Sequence, residues 1–533
     1  MAEADALTPE ISLHALYREI RAVNAEPCRH KLNLYKMAPR SASLGLLSML
    51  LLASATADYI CDRCKCQRPN AVDGVTTMAI DCTIQNVNDV YPIAESWPHQ
   101  LKENVTPPVL IDVLFSHEQM TRLHPLPAVP IVKFASPNCQ LATIDDGAFS
   151  GPSPTIEEID LSSNRLTSSL QPDAFRGPYS PSSLQPLPKV RVLNLKRNAF
   201  HSLNSDLFEH FPALEELYLD QNPFKVIDIV TVKAIATIIK LKVLSLADTN
   251  IHTLPNTFLH TPRFLEYLDL SDNHMDTVPK TVGDAKQLKT LILDGNPIRT
   301  FHNLSLPLMP KLSKLSISRM PHLVAIEDGA FSGLTALEEF HCQLNPNLEL
   351  IDTYAMGENL TDKTIELKTL ILNNNRLSYL SRHLVLYWNH LEKVTLYGNP
   401  WNCDCVNQWM VTDLLPILDG IDPNMSKTMK CYKPPELLGK SMYDMQMHFP
   451  HLRCLDLYAN RPENDGSMLV GVLIGSLLAI PITACLYFLW TKRNQILASC
   501  FPGAASSTHE GTGAADFSRR FYKRTQLSQS GEF

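Results

Sequence analysis

The chain has 533 residues, 19% of them charged, and its 47 Lys and Arg against 55 Asp and Glu leave a formal net charge of -8. That balance provides no global basic footprint, which argues against nucleic acid as a partner. The 13 cysteines are grouped rather than scattered, which points to disulfides and an oxidising compartment. Residues 1–36 read as an upstream extension, neither leader nor domain. A leader begins at Met37: Arg40 supplies its basic region, 44–53 its apolar run and Ala55-Thr56-Ala57 a small-residue cleavage site. Residues 37–57 are therefore expected to be a signal peptide, Met37 the working start and Asp58 the first mature residue. Residues 58–107 hold Cys61, Cys64, Cys66 and Cys82. A Cys-x-x-Cys alone suits a metal or redox site; behind a leader and ahead of a repeat array it reads as a disulfide cap. Four cysteines allow three pairings, and spacing does not choose among them.

Residues 108–398 repeat. Leu214, Leu217, Leu219, Asn222 and Phe224 recur as Leu265, Leu268, Leu270, Asn273 and Met275. They return as Leu288, Leu291, Leu293, Asn296 and Ile298, and again as Leu367, Leu370, Leu372, Asn375 and Leu377. Looser copies begin at Leu110, Val129, Ile156, Val190, Leu241, Leu312, Leu337 and Leu391, about 12 in all, mostly 23 to 27 residues apart. This is the leucine-rich-repeat signature. An amphipathic helix would space its apolar residues by 3.6 instead. The fold expected is an α/β solenoid, a leucine-rich-repeat horseshoe with cysteine-rich N- and C-terminal caps, plus one transmembrane helix. Each Leu-x-Leu pair should enter a shared core, and each Asn should satisfy backbone groups where the chain leaves the strand. The longer steps from Ile156 to Val190 and from Leu337 to Leu367 imply surface insertions. Cys342 falls where a strand leucine belongs and reads as a buried thiol, as does Cys139. A bond between these two is not expected, because repeats contact only their neighbours.

After Leu396 comes Asn399-Pro400-Trp401-Asn402-Cys403-Asp404-Cys405, then Trp409, Cys431 and Cys454. This stretch, 399–454, resembles the C-terminal cysteine-rich cap of extracellular leucine-rich-repeat proteins. In that family the first cysteine pairs with the third and the second with the fourth. The resemblance implies Cys403–Cys431 and Cys405–Cys454, and the similar N-cap pattern implies Cys61–Cys66 and Cys64–Cys82. Asn-x-Ser/Thr sequons at Asn104, Asn303, Asn359 and Asn424 are expected glycosylation sites.

Residues 455–467 form a stalk, and 468–490 then run 23 residues without a charge, long enough to cross a bilayer. Pro481 is tolerable in such a helix. Glu463 and Asp465 precede it and Lys492 and Arg493 follow, so a single-pass type I protein of the plasma membrane is expected, its N-terminus extracellular. Gly471, Gly475 and Ala479 make a small-residue stripe, a candidate helix-dimer contact. The cytoplasmic tail, 491–533, offers Cys500 as a candidate palmitoylation site. Its basic run at 519–524 suits an anionic inner leaflet or an adaptor.

No nucleophile–base pair, metal-ligand spacing or phosphate loop is legible, so neither an enzyme nor a cofactor is expected. The expected working surface is the strand face between the leucines, whose side chains stack into columns. Its centre presents Glu215, Glu216, Tyr218 and Asp220, then Glu266, Tyr267, Asp269 and Asp272, a candidate protein-binding patch that is acidic with two tyrosines. A merely solvated strand face would be polar as well. The layout from cap to tail resembles extracellular leucine-rich-repeat transmembrane proteins, among them capricious/tartan-type adhesion proteins and neuronal and synaptic members. The resemblance implies adhesion or recognition through an extracellular protein ligand, homophilic or heterophilic. The other reading is a ligand-binding receptor or co-receptor, Toll-like in its ectodomain but with no TIR domain in this sequence, signalling as a homodimer or through a partner.

Overall fold

The computed structural model describes residues 60–67, 77–83, 110–116, 120–180, 185–303, 305–357, 365–448, 451–454 and 463–500. The chain divides into two units, Met1–Thr56 and Ala57–Phe533. The first unit lies outside the described residues, as do all of 37–57, Asn104, Asn359 and the basic run at 519–524.

A 14-stranded sheet runs through the second unit, its strands taken in chain order from Lys65–Gln67 to Lys393–Thr395. Only the first pair, Lys65–Gln67 on Thr77–Asp81, is antiparallel; the strands that follow pair in parallel, as in Glu216–Tyr218 on Val243–Ser245. Such a parallel stack arises because each repeat supplies one short strand and returns by a loop, so no strand of the repeats has its sequence neighbour as a hairpin partner. The first two apolar positions of each ladder and the residue two beyond them fill the space behind the sheet. Leu214, Leu217 and Leu219 are fully buried, as are Leu265, Leu268 and Leu270. Toward the N-terminal end the core is aromatic. Phe115, Phe134, Phe149, Phe175 and Phe211 form a chain of rings whose centroids lie 5.0–5.9 Å apart.

The asparagines hold successive repeats together. Asn222 Nδ2 donates to Leu195 O of the repeat before it at 2.9 Å and to Leu219 O of its own at 2.8 Å. Its Oδ1 accepts from the backbone N–H of Asn198 and Phe200, each at 3.2 Å. Asn164, Asn273, Asn296, Asn375 and Asn399 bond across their seams in the same way. Just before that asparagine position the chain turns through a left-handed residue in every repeat from the second onward, from Asn138 to Gly398. Glycine is needed at two of these turns. A Cβ on Gly295 or Gly398 would lie 2.1 Å from the side chain of Asp272 or Asn374 in the preceding repeat.

Two starts of the early ladder are corrected. Phe134 pairs with Ile159, so the second repeat begins at Ile131 and not at Val129, which is buried just ahead of it. In the first repeat a register shift between Ile111 and Asp112 brings Ile111, not Leu110, to the first core position. With the frame set at Ile131, Cys139 occupies the asparagine position. Its backbone N–H donates to Asn164 Oδ1 at 3.0 Å and its thiol to Phe115 O at 3.4 Å, the seam that asparagine spans elsewhere. Cys342 takes a core leucine position, fully buried, and burial pushes its thiol well above the usual range. Both cysteines keep their thiols.

Four disulfides close the ends: Cys61–Cys66 and Cys64–Cys82 before the repeats, Cys403–Cys431 and Cys405–Cys454 after them. They are the pairs the family resemblance implies. At the C-terminal end the last core is sealed by Trp401, which is fully buried and donates from Nε1 to Leu396 O at 3.1 Å. The longer step before Val190 closes on itself, Gly177 N–H donating to Gln185 O at 2.6 Å. The step before Leu367 includes 358–364, outside the described residues. Helix Glu463–Cys500 contains a 24-residue apolar stretch, Leu469–Lys492, with mean hydropathy 2.4, long and apolar enough to cross a membrane.

Candidate protein-binding face

Because side chains alternate along a strand, the residues between the buried leucines stand on the open face of the sheet, the inner face of the horseshoe in this repeat class. The register fixes which of them stack. The residue after the first leucine forms one column: Glu157, Arg191, Glu215, Lys242, Glu266 and Lys289, resuming beyond Ser313 with Glu338, Lys368 and Glu392. The charges alternate, and neighbours pair. Lys242 meets Glu215 at 3.0 Å, Lys289 meets Glu266 at 2.9 Å and Lys368 meets Glu338 at 2.9 Å. Glu215 and Glu266, two of the eight residues predicted for the patch, therefore face lysines of the next repeat, and their charge is spent locally. Exposed pairs of this kind contribute about 0–1 kcal/mol each.

Asp220 is buried. Its Oδ1 accepts from Ser245 Oγ and from Ala247 N–H, and Lys196 Nζ lies 3.0 Å from its Oδ2. Asp294 repeats the arrangement, accepting from Ser316 Oγ at 2.6 Å and Ser318 N–H at 2.8 Å. These two aspartates tie adjacent strands together at the end of the face. Asp272 sits on the left-handed turn, exposed, with Arg319 at 3.3 Å.

Glu216, Tyr218, Tyr267 and Asp269 are left as a half-buried group. Tyr218 donates its hydroxyl to Glu216 at 2.8 Å, while Lys196 lies 4.6 Å over its ring. Burial, then the bond to Glu216, pushes the Tyr218 phenol well above its ordinary range. Burial likewise pushes Tyr267 up to about 12, with Asp269 and Asp220 adding to it. Burial raises Asp269 above the usual carboxylate range. Hydrogen bonds from Ser271 oppose that rise, and Asp220 and Asp294 reinforce it. Among the described residues Asp269 has no ion-pair partner. Farther along, Lys314 meets Glu339 at 2.9 Å and His341 stands beside it at 3.5 Å, with burial and Lys314 lowering the imidazole.

The unpaired Asp269 has a measurable consequence. Its raised pKa means that its share of stability is complete below the ordinary aspartate range and is lost as pH rises through the folded-state value. At pH 7 the charge is a burden. Asp269→Asn, which keeps an oxygen for the Ser271 N–H at 2.9 Å, is expected to raise the unfolding midpoint at pH 7. The advantage should shrink toward zero in acid, where Asp269 is itself neutral. Equal midpoints at pH 7 would show that the carboxylate is already compensated.

Sequence reasoning missed what lies beside this group. Lys133, Glu158, Asp160, Asn194 and Lys196 share the open face with Tyr218 and line a recess that ends on its ring. Ala135 and Val192 leave space there, but Val243 and Ser245 are as short in the same columns, so the sequence carried no signal that singles the recess out. Among the described residues no group of three or more His, Cys, Asp or Glu is arranged to hold a metal ion. Asn303 and Asn424 are both exposed. In helix Glu463–Cys500, a Cβ added at Gly471 or Gly475 would meet nothing within 4 Å, and Cys500 is its last residue.

Comparison with known proteins places the repeats in context. Residues 179–224 and 239–298 match the leucine rich repeat family. Toll-like receptor 9 of Mus musculus is 24% identical over 293 residues, 48% of this chain and 27% of its own. A probable serine/threonine-protein kinase of Dictyostelium discoideum, pats1, is 28% identical over 196 residues, 36% of this chain and 6% of its own. The chain thus spans about a quarter or less of these relatives. Among solved structures, a chain in the octameric complex of latrophilin 3, Unc5D and FLRT2 has 21% identity and a TM-score of 0.38, covering 55% of this chain and 90% of that one. Human 5T4 (trophoblast glycoprotein) has 18% identity and a TM-score of 0.36, over 46% and 89%.

Proposed function

We propose that this chain is a cell-surface recognition or adhesion protein, anchored by one membrane crossing at 468–490 with its N-terminal side outside, and that the open sheet face binds an extracellular protein. The observation that carries the reading is the centre of that face. Most of its charges are cancelled by the neighbouring repeat, whereas Tyr218, Tyr267 and Asp269 form a half-buried group whose carboxylate, Asp269, meets no cation among the described residues. Rigid aromatic rings beside an uncompensated charge favour protein contacts over plain solvation. Four disulfides in the described residues fit an oxidising compartment. The exposed Asn303 and Asn424 are accessible for the glycans their sequons specify.

The test mixes cells expressing the full-length protein with cells that lack it. Clustering of expressing cells alone means homophilic binding; recruitment of the others means a separate ligand. In either case Tyr267→Ala combined with Asp269→Asn is expected to reduce clustering about tenfold, the loss of one central contact. Clustering that ignores this double variant would move the binding surface elsewhere. No clustering of either kind would sink the adhesion reading in favour of a co-receptor acting within its own membrane, with Gly471, Gly475 and Ala479 as the surface for a partner helix.

A further inference from the structure

A pocket of about 420 Å³ opens on the same sheet face toward its N-terminal end. It lies where the shorter side chains of Ala135, Val192 and Asn194 stand among the longer Lys133, Glu158, Lys196 and Tyr218. Lys133 and Glu158 stand on one side of it, Lys196 and Tyr218 on the other, and Asp160 lies between them in the strand column that joins Ala135 to Asn194.

Both lysines are already engaged. Lys133 Nζ lies 2.9 Å from Glu158, a bond that holds it above the ordinary lysine range and keeps it charged. Lys196 Nζ lies 3.0 Å from Asp220 and covers the Tyr218 ring at 4.6 Å. Among the described residues Asp160 accepts the Ser162 N–H, at 2.8 Å, and has no cation. Two lysines thus face four carboxylates, Asp112, Glu158, Asp160 and Asp220; of the two without a cation among the described residues, Asp112 lies behind Lys133 and Asp160 lines the recess.

We propose that this pocket receives an arginine side chain of the extracellular protein ligand, with Asp160 pairing its guanidinium. The assignment rests on the reading of this face as the ligand-binding surface. A guanidinium meets the requirement better than an ammonium, being flat, more weakly hydrated and able to bond a carboxylate through two N–H groups. The recess accepts the side chain's length, and its apolar floor, Ala135 and Val192, covers the methylenes. Seated there, the arginine would lie next to Tyr218, so the pocket and the tyrosine–aspartate group would form one continuous contact for a single protein segment.

The experiment uses the full-length protein in nanodiscs and N-acetyl-arginine amide, with ligand-observed NMR as readout. Saturable binding is expected, absent with the neutral isostere N-acetyl-citrulline amide. Asp160→Asn should weaken it about tenfold or more, the loss of one charged hydrogen-bonding partner. Ala135→Phe, which fills the recess and leaves Asp160 in place, should abolish it, whereas Asp444→Asn, exposed on the C-terminal cap, should leave it unchanged. Unaltered thermal midpoints in the first two variants confirm that they fold. Equal binding of the citrulline amide, no saturable binding of the arginine amide, or full binding by Asp160→Asn would each overturn the assignment. If cells cluster as proposed above and the arginine amide fails to bind, the pocket assignment falls alone; if clustering itself fails, the reading beneath it falls.

Discussion

Replacing Asn273 by alanine is expected to cost about 3–5 kcal/mol of stability, a large effect for a single polar side chain. The side chain spans one seam of the solenoid. Its Nδ2 donates to Leu246 O at 2.8 Å and Leu270 O at 3.0 Å, and its Oδ1 accepts from Thr249 N–H at 3.0 Å and Ile251 N–H at 3.1 Å. Leu246 O keeps the Thr249 hydroxyl and Leu270 O keeps Asn296 Nδ2, so alanine strands the two buried N–H groups, and each orphan costs about 1–3 kcal/mol unless water replaces it. Denaturant unfolding measures the total. Amide exchange at Thr249 and Ile251 should accelerate first, because their N–H groups lose their acceptor. A fall below about 1 kcal/mol would mean that water reaches the seam, and the ladder would then be secondary to the leucine core.

Trp401→Ala is the second large effect, about 3–5 kcal/mol for a fully buried indole. Trp401 ends the ladder and starts the cap. Its strand, Trp401–Asn402, pairs with Cys431–Lys433, whose Cys431 is bonded to Cys403. Removing the ring opens a cavity under the last repeat while both C-terminal disulfides keep the cap attached. Proteolysis should therefore begin near 393–402 with the cap still linked, and Trp401→Phe should recover most of the loss. Cleavage spread evenly along the array would show that the cap does not limit opening from this end.

The ladder of leucines and asparagines was legible because its spacing follows directly from one strand and one turn per repeat. The exceptions are instructive. Val129 and Ile131 are both apolar and separated by a proline, so periodicity could not choose between them; only pairing of Phe134 with Ile159 does. The same shift hid Cys139 at an asparagine position, where a thiol serves the seam with one weak donor. The patch was legible as a set of positions and not as a charge. Glu215 is compensated from Lys242 and Glu266 from Lys289, residues 27 and 23 positions away in sequence yet adjacent in space. Asp220 looked like part of a surface because its position points outward; Ser245 and Ala247 of the next strand cover it. The pocket was invisible for a different reason, since side chains as short as those that border it recur along the same columns.

On the proposed reading, the alternating column on the open face would also act as a ruler. From Glu157 to Lys289 the sign changes at every rung. A binding segment whose charges match the column in one placement would meet like charges all along it when displaced by a single repeat, and would match again only after two. Juxtaposed like charges cost far more than exposed pairs return. The strip would therefore add little to how tightly a segment is held and much to where it stops, like the teeth of a rack that admit a pinion at one phase only.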